Sequence, residues 1–187
     1  RKKQGVMEKI DNSKIKNWRK NQGALWIHLT APSHEEISII ENKFKIHSLT
    51  IEDILSNNTR IKYEEFENYT LIISKWIKEP TPISIETNNL SFILGQNYLI
   101  TIEHQENKLI SEMSKNYKKI SGLIEKGGIA TIVHYILDKE TDRYVNLKLE
   151  YSEFFRKMER EFLHQQKIEP LKEVLAKEPI LLALRQI

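Results

Sequence analysis

The chain has 187 residues, of which 40% are hydrophobic and 29% are charged, so it can form a core beneath a very polar surface. The net charge is only +3, because 29 basic residues are interspersed with 26 acidic ones, and this excludes a broad nucleic-acid-binding surface. The chain has no cysteine, which excludes a disulfide scaffold and thiolate metal sites.

The ends of the chain predict a fragment of a longer protein. It begins with Arg1 rather than methionine, and it stops within an apolar pattern at Ile187. No run approaches the about 18 apolar residues of a membrane-spanning helix, and no signal peptide is visible. We therefore expect that these residues do not cross a membrane. This expectation does not extend to the rest of the parent protein.

The first part of the chain alternates short strands and short helices. Residues 1–22 predict a weak strand and a short helix, and the apolar run Ala24–Leu29 (ALWIHL) predicts a buried strand. Ser33 and Glu36 have the spacing of a capping box, so we expect a helix from His34 to Phe44.

A second short helix carries the most interesting polar pair of the sequence. It is predicted over His47–Leu55 with Ser48 or Thr50 as its cap, which places Glu52 and Asp53 in the first turn. The helix dipole favours acidic side chains there, so spacing alone favours a dipole-compensating role for the two carboxylates.

Strands are predicted next, and long helices after them. A polar turn at 56–60 leads into one long strand, Tyr63–Trp76, and the segment SFILGQNYLITI (91–102) predicts a hairpin. One amphipathic helix is predicted over 109–124. A coiled-coil-like helix of about 54 Å follows from about Ile129 to His164, and must project or pack on a partner helix.

This order of elements predicts the fold class and the domain organisation. Strands with short helices, followed by long helices, indicate an α/β domain with a mixed sheet and then a helical hairpin. We place the α/β domain at 1–126 and the helical hairpin at 127–187, where a last segment after Pro170 contains Pro179 as its kink or first turn.

Motifs for catalysis are absent from the sequence. It contains no GxGxxG, GxxxxGK[ST], GxSxG or HExxH motif, so we predict that the chain is not an enzyme. His47 with Glu52 and Asp53 fits no zinc spacing. The remaining candidates are carboxylates, and Mg²⁺ needs only one or two of them because it keeps several waters.

Three blocks of the sequence resemble the CorA-type magnesium transport family. The segment HSLTIEDILSNNTRIKYEEFENYTLIISKW (47–76) is similar to the family signature: a histidine-to-leucine step, an acidic pair before Ile-Leu, a basic turn, and Glu-x-x-x-Tyr before a strand. WIHLTAP (26–32) and LSFILGQNYLIT (90–101) resemble the flanking strands of the same domain. The resemblance covers roughly 24–187 and is strongest over 44–103.

The resemblance implies a fold and a function. The fold is an α/β/α sandwich with a mixed sheet, followed by long coiled-coil-like helices that lead toward a stalk and two C-terminal membrane helices. The whole protein would be a pentameric divalent-cation channel of the cell membrane that carries Mg²⁺ or Co²⁺, with this domain on the cytoplasmic side. Its partners would be its own copies and the membrane, with no nucleic acid and no small-molecule substrate.

The resemblance also implies a set of metal residues. Asp53 matches the family carboxylate that holds regulatory, weakly bound Mg²⁺ between neighbouring subunits, and Glu52 matches a secondary ligand beside it. Alignment of LDKETDRYV (137–145) puts Asp138 at an acidic position of a second site. The sequence departs from the family pattern at Ile61, where proline is common, and at His28, where an acidic or polar residue is frequent.

Two alternatives remain open at this point. A zinc-transporting relative would have the same domain, because ion selection resides in the pore. A stand-alone interaction module would use the long helices to bind a partner protein. The reading frame beyond Ile187 separates them, since two apolar segments of about 20 residues, with Gly-Met-Asn near the end of the first, indicate a channel.

Overall fold

The structure, a computed structural model, describes residues 5–7, 23–56, 59–78, 85–165 and 169–177. The chain divides into two compact units, one within 1–76 and 88–136 and the other within 77–87 and 137–187. The short helix expected within residues 1–22 and the segment around Pro179 lie outside the described residues.

Six strands form one sheet in the order β1-β2-β6-β5-β4-β3. β1 is parallel to β2, and β2 to β6, whereas β5 is antiparallel to β6 and β3 to β4, so the predicted mixed sheet is confirmed. The strands are β1 Gly5–Met7, β2 Leu25–Thr30, β3 Lys62–Glu65, β4 Tyr69–Ile77, β5 Thr87–Gly95 and β6 Tyr98–Glu103.

Six helices are present in the described part of the chain. The capping box is confirmed: Ser33 N–H donates to Glu36 Oε2 at 2.9 Å, and Glu36 N–H donates to Ser33 Oγ at 3.3 Å. The predicted long helix is confirmed as well, with 36 residues. The helices are α1 His34–Phe44, α2 Ser48–Leu55, α3 Lys108–Ser114, α4 Tyr117–Gly127, α5 Ala130–Gln165 and α6 Glu169–Ala176.

Two predicted elements are each divided into two. The strand predicted over Tyr63–Trp76 is a hairpin of β3 and β4, in which Phe66 N–H donates to the Tyr69 carbonyl at 2.9 Å. The helix predicted over 109–124 is α3 and α4, because the Asn116 side chain accepts from Lys119 N–H at 3.1 Å and begins a new helix. In both cases a continuous apolar pattern runs across a short polar turn.

One face of the sheet packs against α1 and α2. Odd positions of β2 and even positions of β6 lie on this face, since Leu25 pairs with Tyr98 and Ile27 with Ile100. Together with Ile40 of α1 they belong to one hydrophobic core. The opposite face is also buried, and α3, α4 and the first turns of α5 add further buried apolar side chains. The unit is therefore an α/β/α sandwich, as the resemblance implied.

The second face contains a buried polar network between β2 and β6. Trp26 Nε1–H donates to Thr101 Oγ1 at 3.0 Å, and His28 Nδ1 lies 2.9 Å from the same oxygen. Glu103 Oε1 accepts from Thr30 Oγ1–H at 2.9 Å and lies 3.4 Å from His28 Nε2. Because His28 is 5% exposed and Glu103 is 0% exposed, the unusual histidine of the sequence has a structural role here.

The other unit has a small core of its own. Ile77, Ile85 and Leu147 are buried together, and the rings of Tyr144 and Tyr151 pack against them. At its C-terminal end, the ammonium of Lys177 lies 5.8 Å from the centre of the Tyr151 ring, so the chain after α5 returns to the side of that helix.

Stability at high pH is expected to depend on Tyr98, whose ring packs 4.5 Å from that of Phe44. Burial raises the pKa of Tyr98 to about 12 from its ordinary value of 10.0. Between these values the unfolded chain has lost the phenolic proton and the folded chain keeps it, so stability falls as pH rises from 10 through about 12. Urea unfolding at several pH values measures the fall, and Tyr98→Phe should make it shallower. Equal pH dependence in both proteins would contradict the prediction.

Candidate metal site

Helix α2 is held firmly against the sheet. Its N-cap is His47, whose Nδ1 accepts from Leu49 N–H at 3.2 Å. The hydroxyl of Tyr69 on β4 accepts from His47 N–H at 3.1 Å and lies 2.8 Å from Thr50 Oγ1. Ile51 and Ile54 point into the core, so the opposite side of this short helix has a fixed position at the surface.

The two candidate carboxylates lie in the second half of α2, and their predicted position in its first turn is wrong. The helix begins one residue after His47, a cap whose ring nitrogen accepts the hydrogen bond instead of a serine or threonine oxygen. Glu52 and Asp53 are therefore close to the C-terminal end, where the dipole disfavours negative charge by about 0.3–1 kcal/mol. The helix dipole therefore does not explain why two carboxylates occur at this position.

Asp53 already binds a cationic side chain. Lys62 Nζ lies 2.6 Å from Asp53 Oδ2 and 3.0 Å from Glu64 Oε1, so one ammonium bridges two carboxylates from α2 and β3. The hydrogen bond to Asp53 and then the bond to Glu64 raise the pKa of Lys62 above its ordinary value. The three side chains are about one-third exposed, so this small ion-pair cluster is accessible to solvent.

The register of the β3–β4 hairpin explains this arrangement. Lys62 pairs with Ile73, and Glu64 pairs with Leu71, and both partners belong to the core beneath α1 and α2. Lys62 and Glu64 thus extend toward α2 from β3, the last strand at its end of the sheet. Sequence analysis missed both residues, although their separation by two positions in a strand places them on one face.

The side chain of Glu52 points away from that of Asp53. It is exposed, and adjacent residues of an α-helix point about 100° apart, so the two carboxylates diverge. The backbone carbonyl of Glu52 ends the helix by accepting from Ser56 N–H at 3.1 Å.

Asp138 lies on α5 in the other compact unit and is exposed. Lys139 Nζ is 4.0 Å from Asp138 Oδ2 and 2.7 Å from Asp142 Oδ2, so a lysine accompanies this candidate too. Within the ranges that the structure describes, no three His, Asp or Glu side chains are arranged to hold one metal ion. A metal at any of the three predicted residues would therefore need ligands besides the His, Asp and Glu side chains of the described ranges.

None of the helices in the described ranges combines the length and the apolar composition that a membrane crossing requires. This finding concerns only the residues that the structure describes.

The sequence matches the family described as CorA-like Mg²⁺ transporter protein over residues 21–187. It is 24% identical over 157 residues to the cobalt/magnesium transport protein CorA of Thermotoga maritima, an alignment that covers 83% of this chain and 45% of that protein. The chain thus spans less than half the length of this relative.

Two solved structures have a similar fold. The soluble domain of CorA from Methanocaldococcus jannaschii is 25% identical with a TM-score of 0.58, covering 81% of this chain and 60% of that one. The complete CorA magnesium transporter of the same organism is 21% identical with a TM-score of 0.66, covering 88% of this chain and 52% of that one. The family resemblance drawn from the sequence is confirmed.

Proposed function

Because the chain belongs to the family of CorA-like Mg²⁺ transporter proteins, we propose that it is the cytoplasmic, cation-sensing part of a divalent-cation transporter. The family consists of transporters, so an enzymatic role is not proposed. The whole protein would be a homo-oligomer, a pentamer, anchored in the cell membrane by segments beyond Ile187. Its transported ion would be Mg²⁺, with Co²⁺ as a second.

The observation that carries this proposal is the position of Asp53. Its carboxylate lies near the C-terminal end of α2, next to the terminal strand of the sheet, and it is bound to an ammonium group. A partly exposed carboxylate that the dipole disfavours gains from any additional positive charge. Asp53 is therefore suited to bind a cation that a neighbouring copy of the chain helps to hold.

The proposed regulation follows from electrostatics between subunits. Carboxylates that face each other across an interface repel, and a divalent cation between them turns the repulsion into attraction. Occupancy then favours the quaternary state in which the subunits are close, and loss of the cation favours the other state. Mg²⁺ fits this role, since it retains most of its waters and needs few protein ligands.

The other two candidates have secondary roles in this proposal. Glu52 is exposed and diverges from Asp53, so it would contribute to a metal at the same edge through water. Asp138 is an exposed carboxylate of α5 and would belong to a second site. Both sites would be regulatory, with weakly bound metal and no bound cofactor of another kind.

Replacing Asp53 by asparagine in the full-length protein is expected to weaken closure by Mg²⁺. Asparagine keeps the size of the side chain and removes its charge, so the Mg²⁺ concentration for half-maximal closure should rise by about tenfold or more. Ion flux into proteoliposomes at increasing internal Mg²⁺ measures this midpoint, and protection of the purified oligomer from protease by Mg²⁺ gives a second reading.

The matched control is Glu86→Gln. It removes the charge of a carboxylate that also pairs with a lysine, since Glu86 Oε2 lies 2.7 Å from Lys78 Nζ. The control should leave the midpoint at the wild-type value. An unchanged midpoint in Asp53→Asn would show that Asp53 is not the sensing ligand. Parallel measurements with Co²⁺ and Zn²⁺ identify the transported ion, and transport of Zn²⁺ alone would favour a zinc transporter with the same domain.

A further inference from the structure

We propose that Lys62 is a built-in competitor of the divalent cation at Asp53, an inference that rests on the proposed sensing role of Asp53. In the absence of metal, the ammonium of Lys62 is paired with this carboxylate. A divalent cation must displace it, and the lysine thereby raises the metal concentration at which the sensor responds.

The ammonium of Lys62 lies where it would oppose a metal at either oxygen of the same carboxylate. Lys62 Nζ is 2.6 Å from Asp53 Oδ2, a full charge-assisted hydrogen bond. Mg²⁺ binds oxygen directly at about 2.1 Å or through one of its waters at about 4 Å. Either position puts the metal within a few ångströms of the ammonium, where the two positive charges repel.

The position of Lys62 also permits the exchange. The side chain starts from β3, whose register with Ile73 fixes its backbone, and it is 31% exposed, so its flexible stem can move into solvent. Glu64 Oε1, only 3.0 Å from the ammonium, gives the displaced lysine a second anionic partner. Binding of metal to Asp53 would therefore leave the ammonium of Lys62 paired with Glu64.

The size of the effect follows from charge repulsion in a solvated environment. In salt solution, the repulsion between an ammonium and a divalent cation about 5 Å apart lowers the affinity for the cation by roughly three- to tenfold. The competitor would set a weak affinity, as a sensor of an abundant ion requires. Without it, Asp53 would remain occupied over a wider range of metal concentrations.

The test replaces Lys62 by methionine, which keeps the apolar stem and removes the charge, in the full-length protein. The Mg²⁺ midpoint of flux closure and of protease protection should fall by roughly three- to tenfold. Lys62→Arg, which keeps the charge, should stay near the wild-type midpoint. Lys78→Met removes the ammonium of the comparable pair with Glu86 and should have no effect. Lys62→Gln is a second neutral variant if methionine reduces the thermal stability.

The double variant Asp53→Asn/Lys62→Met separates this inference from the proposed function. Competition at Asp53 requires that Lys62→Met has no further effect once Asp53 is replaced. An equal fall of the midpoint in that background would indicate general electrostatics and overturn the inference. If Asp53→Asn raises the midpoint as expected but Lys62→Met leaves it unchanged, the competition by Lys62 is overturned and the sensing role of Asp53 is retained. No response to Asp53→Asn would instead reject the proposed function.

Discussion

Replacing Glu103 by alanine is expected to lower the free energy of unfolding by about 3–5 kcal/mol, the usual cost of leaving buried hydrogen-bond partners unsatisfied and opening a cavity. Glu103 is 0% exposed, and its Oε1 accepts from Thr30 Oγ1–H at 2.9 Å and from Asn107 N–H at 3.1 Å. These bonds connect the ends of β2 and β6 to the start of α3. Alanine would leave the donors and His28 without this acceptor and would create a cavity. Thermal unfolding of the 187-residue chain measures the loss, with a fall in midpoint of roughly 10 °C.

Two further variants separate the causes of this loss. Glu103→Gln keeps an oxygen that accepts from Thr30 and Asn107, so it should cost clearly less than the alanine variant. Equal costs for both variants would show that an amide cannot replace the carboxyl group of Glu103. Glu106→Ala changes an exposed glutamate three residues away and should be within about 0.5 kcal/mol of the wild type. A Glu103→Ala protein as stable as this control would contradict the structural role of the network.

The fold was predictable wherever local chemistry and global packing agree. The capping box at Ser33 and Glu36, the hairpin turn after Gly95 and the long apolar repeat of α5 each specify their element without help from distant residues. The hairpin at Phe66–Asn68 was missed because strand-like alternation continues on both sides of it. In the same way, the apolar spacing of α3 continues into α4, and only the Asn116 cap divides them. Periodicity reports which side chains are buried, and it does not record a short polar turn between two buried segments.

The candidate carboxylates come from the family resemblance, whereas the charged side chains around them could not be predicted from the sequence. The family resemblance identified Asp53, but the position of that residue in its helix depended on the choice of His47 as the cap. A histidine is an uncommon cap, so serine or threonine was the natural expectation. Lys62 was missed because its partnership with Asp53 joins a helix to an edge strand nine positions away. Such a contact requires the register of β3 against β4, which sequence reasoning had merged into one strand.

The same two residues show how the site depends on the fold. In the first turn of α2, Asp53 would be stabilised by the helix dipole and would gain less from a bound cation. In its observed place, the carboxylate relies on the ammonium of Lys62, and through it on the β3–β4 hairpin. The proposed binding of a cation at this edge would therefore depend on the folded unit, which is why we expect it to respond to single substitutions that leave the core unchanged.

Replacing Gly95 by alanine is expected to destabilise the fold by roughly 2–3 kcal/mol, although alanine is usually the better residue within a strand. Gly95 ends β5 directly across the hairpin from Tyr98, one pair beyond Leu94 and Leu99. A Cβ built on Gly95 would overlap the Cε1 and Cζ atoms of the Tyr98 ring and would lie 2.6 Å from Cδ1. The ring also packs against Phe44, so it cannot move away from the glycine without disturbing the core.

A double-mutant cycle tests this explanation. If the clash with the ring is the cause, Gly95→Ala should cost little in a Tyr98→Ala background, with a coupling energy of about 1–3 kcal/mol by urea unfolding. Gly122→Ala is the matched control, because a Cβ there meets no atom within 4 Å and the residue lies inside α4. That variant should stabilise the chain by about 0.5–1 kcal/mol, since alanine is the better helix former. Additive costs for Gly95 and Tyr98 would show that the ring is not what excludes a side chain, and that the requirement for glycine lies in the backbone of the turn.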